Sequence, residues 1–296
     1  MQPTASSSLK IRALIAEGEH TLANGPHPER ARADSETLLL ALFQHADPER
    51  NRAWLLAHAD DPADLNHRAD FLALVARRLR GEPIQYILGE TEFYGLPFTV
   101  TPDVLIPRPE TEHLVEKALE LASQFGASPR IADIGAGSGA IAVTLAHELP
   151  LAKLTAIDLS PAALDVVRMN ARRNGVFERI RFLEGDLLAP VAEEKFEIIA
   201  SNPPYVPSVD RPSLAVEVRE FEPALALFAG EDGLDLYRRL IPAAFAALTP
   251  GGSLLLEIGF GQKEKIAALL SEAGFDKIEF LADLQQIPRV AVARRS

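Results

Sequence analysis

The spacing of apolar residues changes character along the chain, and the change predicts its organisation. Between residue 9 and about residue 80, apolar positions recur at helical intervals and no segment reads as a strand. Pro26 and Pro28, following Asn24 and Gly25, break that pattern. Ala33, Leu38, Leu39, Leu42 and Phe43 mark a second helix that ends at Asp47 and Pro48, and a short one carries Trp54 and Leu55. After Asp60, Asp61 and Pro62, a stripe of Leu65, Phe71, Leu72, Val75 and Leu79 runs opposite arginines. Residues 1–80 thus predict a small helical bundle, either a structural cap or a docking module for a macromolecular substrate.

Residues 81–108 predict a β-hairpin linker. Glu92 to Tyr94 and Phe98 to Val100 alternate around a turn at Gly95, Leu96 and Pro97, and Pro102, Pro107 and Pro109 keep the next stretch of chain extended. Pro109 and Glu110 suit the first turn of a helix running to about Ser123. From Arg130 onward strands and helices alternate. Strands are expected at Ile131–Ile134, Lys153–Ile157, Ile180–Leu183, Phe196–Ala200 and Ser253–Ile258, and near Ile278 and Val290. The helices between them include Ala140–Leu149, Pro161–Arg173 with Ser160 as its N-cap, Leu234–Leu248 and Lys263–Ala273. Residues 109–296 therefore predict an α/β fold, a doubly wound, seven-stranded, mostly parallel sheet with helices on both faces.

Composition removes several classes of function. The 296 residues hold no cysteine, which excludes disulfides, thiolate metal sites and thiol catalysis. The seven histidines show no helical metal-site spacing, so no metal is expected. The net charge of −12 disfavours stable nucleic-acid binding, and the clusters Arg77, Arg78, Arg80 and Arg172, Arg173 read as solvated helix faces. Apolar runs such as Ala224 to Ala229 are far short of the roughly 18 residues that a membrane span needs. Met1 to Lys10 is polar, without the apolar core of a signal peptide, so a cytoplasmic protein without membrane association is expected, and a monomer.

Two sites carry chemistry. The first strand-to-helix turn reads Asp133, Ile134, Gly135, Ala136, Gly137, Ser138, Gly139, a glycine-rich loop that lets a ligand approach the backbone at a helix N-terminus. Asp158 ends the second strand, 19 residues after Gly139, where a carboxylate can accept from ribose hydroxyls. Adenosine binding follows, but Gly135, Gly137 and Ala140 also fit a dinucleotide fingerprint, which leaves a dehydrogenase open. The second site is Ser201, Asn202, Pro203, Pro204, Tyr205, directly after the fourth strand and so at the ligand-binding edge of the sheet. A planar amide or aromatic amine is a poor nucleophile because its lone pair is delocalised, and it needs exact placement in line with the methyl donor. The Asn202 side-chain oxygen and the Pro203 carbonyl can accept its two N–H groups. The two prolines keep both acceptors rigid, and Tyr205 can cover the flat face of the target.

The aspartate that opens the glycine turn resembles the S-adenosylmethionine turn of class I methyltransferases, and Asp186 after Gly185 fits the adenine side of such a site. More specific are Gly81 to Ile87, Glu92 to Tyr94, and the run Leu105, Ile106, Pro107, Arg108, Pro109, Glu110, Thr111, Glu112. With Gly251, Gly252, Leu255 to Gly259, Gln262, Arg289 and Val290, they make the chain resemble the release factor glutamine methyltransferases over nearly its whole length. The resemblance implies a Rossmann-like class I fold with S-adenosylmethionine as cofactor and S-adenosylhomocysteine as product. Gly135, Ala136, Gly137, Ser138, Gly139, Asp158, Asp186, Leu187 and Asn202 would hold the cofactor. Asn202, Pro203, Pro204 and Tyr205 would hold the target, with Asn202, Pro203 and Tyr205 as the reaction's own residues. The implied partner is a class I peptide release factor, methylated on the glutamine of its Gly-Gly-Gln loop. Leu187 stands where such enzymes often carry an aromatic residue, which implies altered affinity rather than lost activity. Arg108 and Glu110 are expected near the cofactor. An adenine-N6 methyltransferase acting on DNA or RNA, and a glutamine methyltransferase acting on a ribosomal protein, share this chemistry.

Overall fold

The computed structural model describes residues 9–63 and 65–296; the polar start Met1–Ser8 and the side chain of Leu65 lie outside the described residues. The chain forms two compact units. The helical unit holds α1 (Ile11–Leu22), α2 (Ala31–Gln44), α3 (Arg52–Ala57), α4 (Leu65–Leu79) and α5 (Ile84–Leu88). Its core gathers Leu14, Ile15, Leu38, Leu39, Leu55, Phe71 and Val75, all nearly inaccessible to solvent. The short α5 was not expected, because Pro83 and Gly89 bracket it too closely for a periodic pattern to show. Pro83 is extended, with ψ 136°, and Gly89 ends the helix in a left-handed conformation. Segment 215–221, far along the chain, also belongs to this unit and contributes a short helix introduced below.

That segment explains a correction to the arginine cluster. Arg78 is not solvated but 3% exposed. It donates from Nε to Asp34 Oδ2 at 2.6 Å and from Nη1 to Glu217. Gly81 (φ +90°) lies against Val216, where an added Cβ would come within 2.7 Å, so the backbone there admits no larger residue. Arg77 pairs instead with Glu82 through both of its carboxylate oxygens.

The sheet unit begins with the hairpin β1 (Glu90–Phe93) and β2 (Leu96–Thr99), turned at Tyr94 and Gly95, both with positive φ as a two-residue hairpin loop requires. After α6 (Glu110–Ala122) come β3 (Arg130–Ile134), α7 (Ala140–Glu148), β4 (Lys153–Asp158), α8 (Pro161–Arg173), β5 (Ile180–Glu184) and β6 (Phe196–Ser201). The short helix of segment 215–221 is α9 (Val216–Phe221); next come α10 (Asp235–Ala247), β7 (Leu248–Glu257), α11 (Lys263–Glu272), β8 (Asp276–Ala282) and β9 (Pro288–Arg294). The seven-stranded sheet has the order β5-β4-β3-β6-β7-β9-β8, parallel except for β9, which runs antiparallel to both its neighbours. The doubly wound, mostly parallel sheet expected from the sequence is thus present. One apolar cluster, with residues of α6, α7 and α8, covers one face, and another, with residues of α10 and α11, covers the other. Phe93 and Phe98 anchor the hairpin in the first cluster. Among the described residues no helix is long and apolar enough to cross a membrane.

Candidate active site

The strand order reverses at β3: β4 and β5 are laid down on one side of it, β6 and β7 on the other. Open sheets bind ligands in the crevice beyond such a switch point. The register pairs Asp133 with Ala200, so the glycine turn and the Asn202 loop leave the sheet side by side. Ser201 Oγ donates to the Ile134 carbonyl at 2.6 Å and ties the two ends together.

The turn is held mostly by β4. The N–H groups of Gly135 and Ala136 both donate to the Ile157 carbonyl. Asp158 accepts from Gly137 N through Oδ2 and from Ser160 N through Oδ1, both at 2.8 Å, leaving one lone-pair site on each oxygen for a ligand. Asp133 plays a different part from the one its place in the motif suggests. It is wholly buried, and its Oδ2 accepts from Ala142 N, so it staples the first turn of α7 to β3. Its Oδ1 has no partner among the described residues. Burial, helped by the charge of Asp158, pushes its carboxyl up to about 7, against the pull of the Ala142 hydrogen bond. Ala140 and Ile141 both border the cavity, and their N–H groups carry no hydrogen bond from the described residues.

The Asn202 loop is braced from behind. Gln262 accepts from Gly259 N and donates to the Tyr205 carbonyl, both at 2.9 Å. Val206 exchanges backbone hydrogen bonds with Leu227 and Ala229. Asn202 Nδ2 donates to Thr111 Oγ1 at 3.1 Å, while its Oδ1 accepts nothing from the described residues. Thr111 Oγ1 donates to Glu257 Oε2 at 2.5 Å, and the Tyr205 hydroxyl reaches Glu257 Oε1 at 3.4 Å. Burial pushes the Glu257 carboxyl up to about 7; the Thr111 hydrogen bond opposes this, and the Glu110 charge adds to it. Burial likewise raises Tyr205 well above the ordinary tyrosine range.

A cavity of about 340 Å³ opens here, within the span of small-molecule sites. Gly135, Ala136, Gly137, Ser138, Asp158, Asp186, Leu187, Asn202, Pro203 and Pro204 all line it, as does Thr111, whereas Asp133, Gly139 and Tyr205 do not; Gly139 packs instead against Val167 and Val143. Asp186 is paired with Arg239. Leu187 takes a left-handed φ of 52°, a strained setting for a branched side chain and one common where ligands are clamped. Arg108 also lines the cavity and donates to both oxygens of the buried Glu222, at 2.6 and 2.7 Å. Three supporting residues had no role assigned from sequence: Thr111 and Glu257, which appeared there only as members of family runs, and Asn170, which was missed. Asn170, fully buried, donates to the Ser138 and Thr99 carbonyls and accepts from Thr99 N, joining the glycine turn to the hairpin. The available signal was a polar residue inside an apolar stripe: Asn170 amid Val166, Val167 and Ala171, and Glu257 after Leu254 to Leu256.

An acceptor-rich loop beside an adenosine-type turn, on a sheet of this order, is the arrangement of a class I methyltransferase. The family model of the methyltransferase small domain matches residues 111–219, and that of the PrmC N-terminal domain matches residues 13–89. A release factor glutamine methyltransferase of Geobacter sulfurreducens is 44% identical over 90% of this chain and 90% of its own length. One of Burkholderia pseudomallei is 47% identical over 82% and 87%. The chain belongs to the release factor glutamine methyltransferase family. Among solved structures, the hMettl16 catalytic domain has the same fold with a TM-score of 0.55, at 14% identity over 78% of this chain and 82% of its own.

Proposed function

We propose that this chain methylates the side-chain nitrogen of the glutamine in the Gly-Gly-Gln loop of a class I release factor, in the cytoplasm. The observation that carries the reading is the Asn202 side chain, which lines the cavity with its nitrogen bound to Thr111 and its oxygen claimed by none of the described residues. S-Adenosylmethionine, when bound, supplies the electrophilic methyl group and leaves as S-adenosylhomocysteine. The fit of the cavity supports that cofactor: a glycine turn open to a ligand, a carboxylate at the ribose position, free N–H groups at the start of α7, and an apolar wall at Leu187.

Asn202 Oδ1 and the Pro203 carbonyl accept the two N–H groups of the glutamine amide. No hydrogen bond from the described residues claims that carbonyl. Together they hold the nitrogen for in-line attack, in which one N–C bond forms as one C–S bond breaks. The methylated nitrogen is acidic, so its surplus proton passes to water without a dedicated base. A group lacking two N–H donors would leave these acceptors unpaired, at about 1–3 kcal/mol each. Pro204 stiffens the loop. Tyr205 acts from behind it, against Glu257, rather than from the cavity wall. We assign the docking of the release factor's body to the helical unit.

The test offers the purified protein and S-adenosylmethionine to an unmethylated class I release factor and to duplex DNA in parallel, and locates the product by peptide mass spectrometry. One methyl on the loop glutamine, absent with Asn202→Ala, is the expected result. Methyl on DNA adenine would replace the substrate while keeping the acceptor geometry, and methyl on neither would move the search to ribosomal proteins.

A further inference from the structure

Resting on the reading that Asn202 receives a planar nitrogen, we infer that Thr111 and Glu257 form a positioning relay that decides which end of the Asn202 amide meets the substrate. An asparagine side chain has an oxygen and an NH₂ at nearly equivalent positions, and only the oxygen can accept an N–H. Packing alone does not tell the two ends apart; a hydrogen bond does. The ionised Glu257 carboxylate only accepts, so the single hydrogen of Thr111 points to it, at 2.5 Å. Thr111 then has only lone pairs left for Asn202, which must turn its NH₂ toward Thr111, at 3.1 Å. The oxygen is thereby presented to the cavity.

Protonation of Glu257 reverses the chain. The carboxyl then donates to Thr111, whose hydrogen turns to Asn202 and draws the oxygen inward. The cavity then meets an NH₂ group, which repels the donors of an amide. The groups that face Glu257 are Thr111 and Glu110 from α6, Tyr205 from the Asn202 loop and Arg289 from β9. From α10, the Tyr237 hydroxyl donates to the Glu257 backbone carbonyl at 2.6 Å and holds the strand end in place. The carboxyl sits at about 7, chiefly through burial, so the relay switches in the neutral range.

The experiment compares the parent enzyme with Thr111→Val and Thr111→Ser on unmethylated release factor, with S-adenosylhomocysteine affinity measured by calorimetry. Valine keeps the shape and removes the hydroxyl. It should lower kcat by about tenfold or more while the affinity stays within about twofold, and serine should restore most of the rate. Parent kcat/KM should fall about tenfold per pH unit below about pH 7, and the residual activity of Thr111→Val should be flat. A valine variant with parental kcat, a serine variant as poor as valine, or an acid limb that survives in valine overturns the relay. If the parent methylates another amide or an adenine amino group, the release-factor reading falls and the same series on that substrate still decides the relay. Independently of any substrate, the Asn202 side-chain NH₂ resonance should titrate near pH 7 in the parent and not in Thr111→Val; a parent resonance that does not titrate sinks the proposal.

Discussion

The helical unit and the sheet unit each bury carboxylates, and they treat them in opposite ways. In the helical unit Arg78 is enclosed between Asp34 and Glu217, so charge is met by charge. In the sheet unit Asp133 and Glu257 are buried against backbone N–H and hydroxyl groups, and both carboxyls rise to about 7. A buried ion pair keeps its partners fixed at any ordinary pH. A buried carboxyl held by neutral donors stays close to balance between two protonation states. The first arrangement suits a clamp on segment 215–221, the second a site that must present a chosen hydrogen-bonding face.

The largest effect should come from breaking the clamp. Arg78→Ala takes from the buried Asp34 its closest cation, leaving Arg30 at 3.5 Å, and from the half-buried Glu217 all but His27, and should destabilise the protein by about 3 kcal/mol in urea unfolding. Arg78→Met, which fills the space but not the charge, should be no better. A loss under about 1 kcal/mol would mean that water already reaches the pair and that the contrast between the units is false. Asn202→Ala should act in the other unit and on the other quantity. It should reduce kcat by about 10²–10³-fold while stability falls by no more than about 1 kcal/mol, because the residue is only partly buried and gives up a single hydrogen bond, to Thr111. An equal loss of stability would make Asn202 part of the scaffold.

Much of this contrast was legible before the fold was known, and the remainder was hidden for a physical reason. The alternating elements from β3 to β9 show because a strand buried on both faces writes a continuous apolar run, and the cavity edge follows from where such runs stop. Asn202 and the glycine turn show because they are contiguous motifs. Arg78 was misread as solvated because its partner Glu217 is 139 residues away. Thr111 and Glu257 are 146 residues apart and acquire meaning only through the pairing of β7 beside β6. Asp133 belongs to the motif but caps α7 instead of touching the cavity, a distinction that spacing does not encode.

Glu257→Gln sharpens the comparison through pH. The folded carboxyl, at about 7, lies above its unfolded value of 4.5. Between those values the folded state binds the extra proton, so the stability of the parent falls as pH rises. Glutamine cannot ionise and escapes that fall. The melting temperature of the variant relative to the parent should therefore increase from pH 5 to pH 8, approaching an advantage of up to about 3 kcal/mol. A difference that stays constant with pH would show that Glu257 ionises freely in the folded state.

The smallest effect concerns Leu187, where the strain of the cavity wall is separable from its chemistry. Its left-handed backbone is imposed by the loop after β5, so replacing one bulky side chain by another leaves that strain as it was. Leu187→Phe should therefore shift stability by less than about 1 kcal/mol. The ring can lie against a purine, which is worth about 0.5–1.5 kcal/mol beyond area alone. Calorimetry should accordingly find S-adenosylhomocysteine bound about 2- to 10-fold more tightly. Weaker binding would mean that the wall is too close to admit a ring and that leucine was retained for space. Unchanged binding would place the adenine elsewhere in the cavity, and with it the assignment of Asp186.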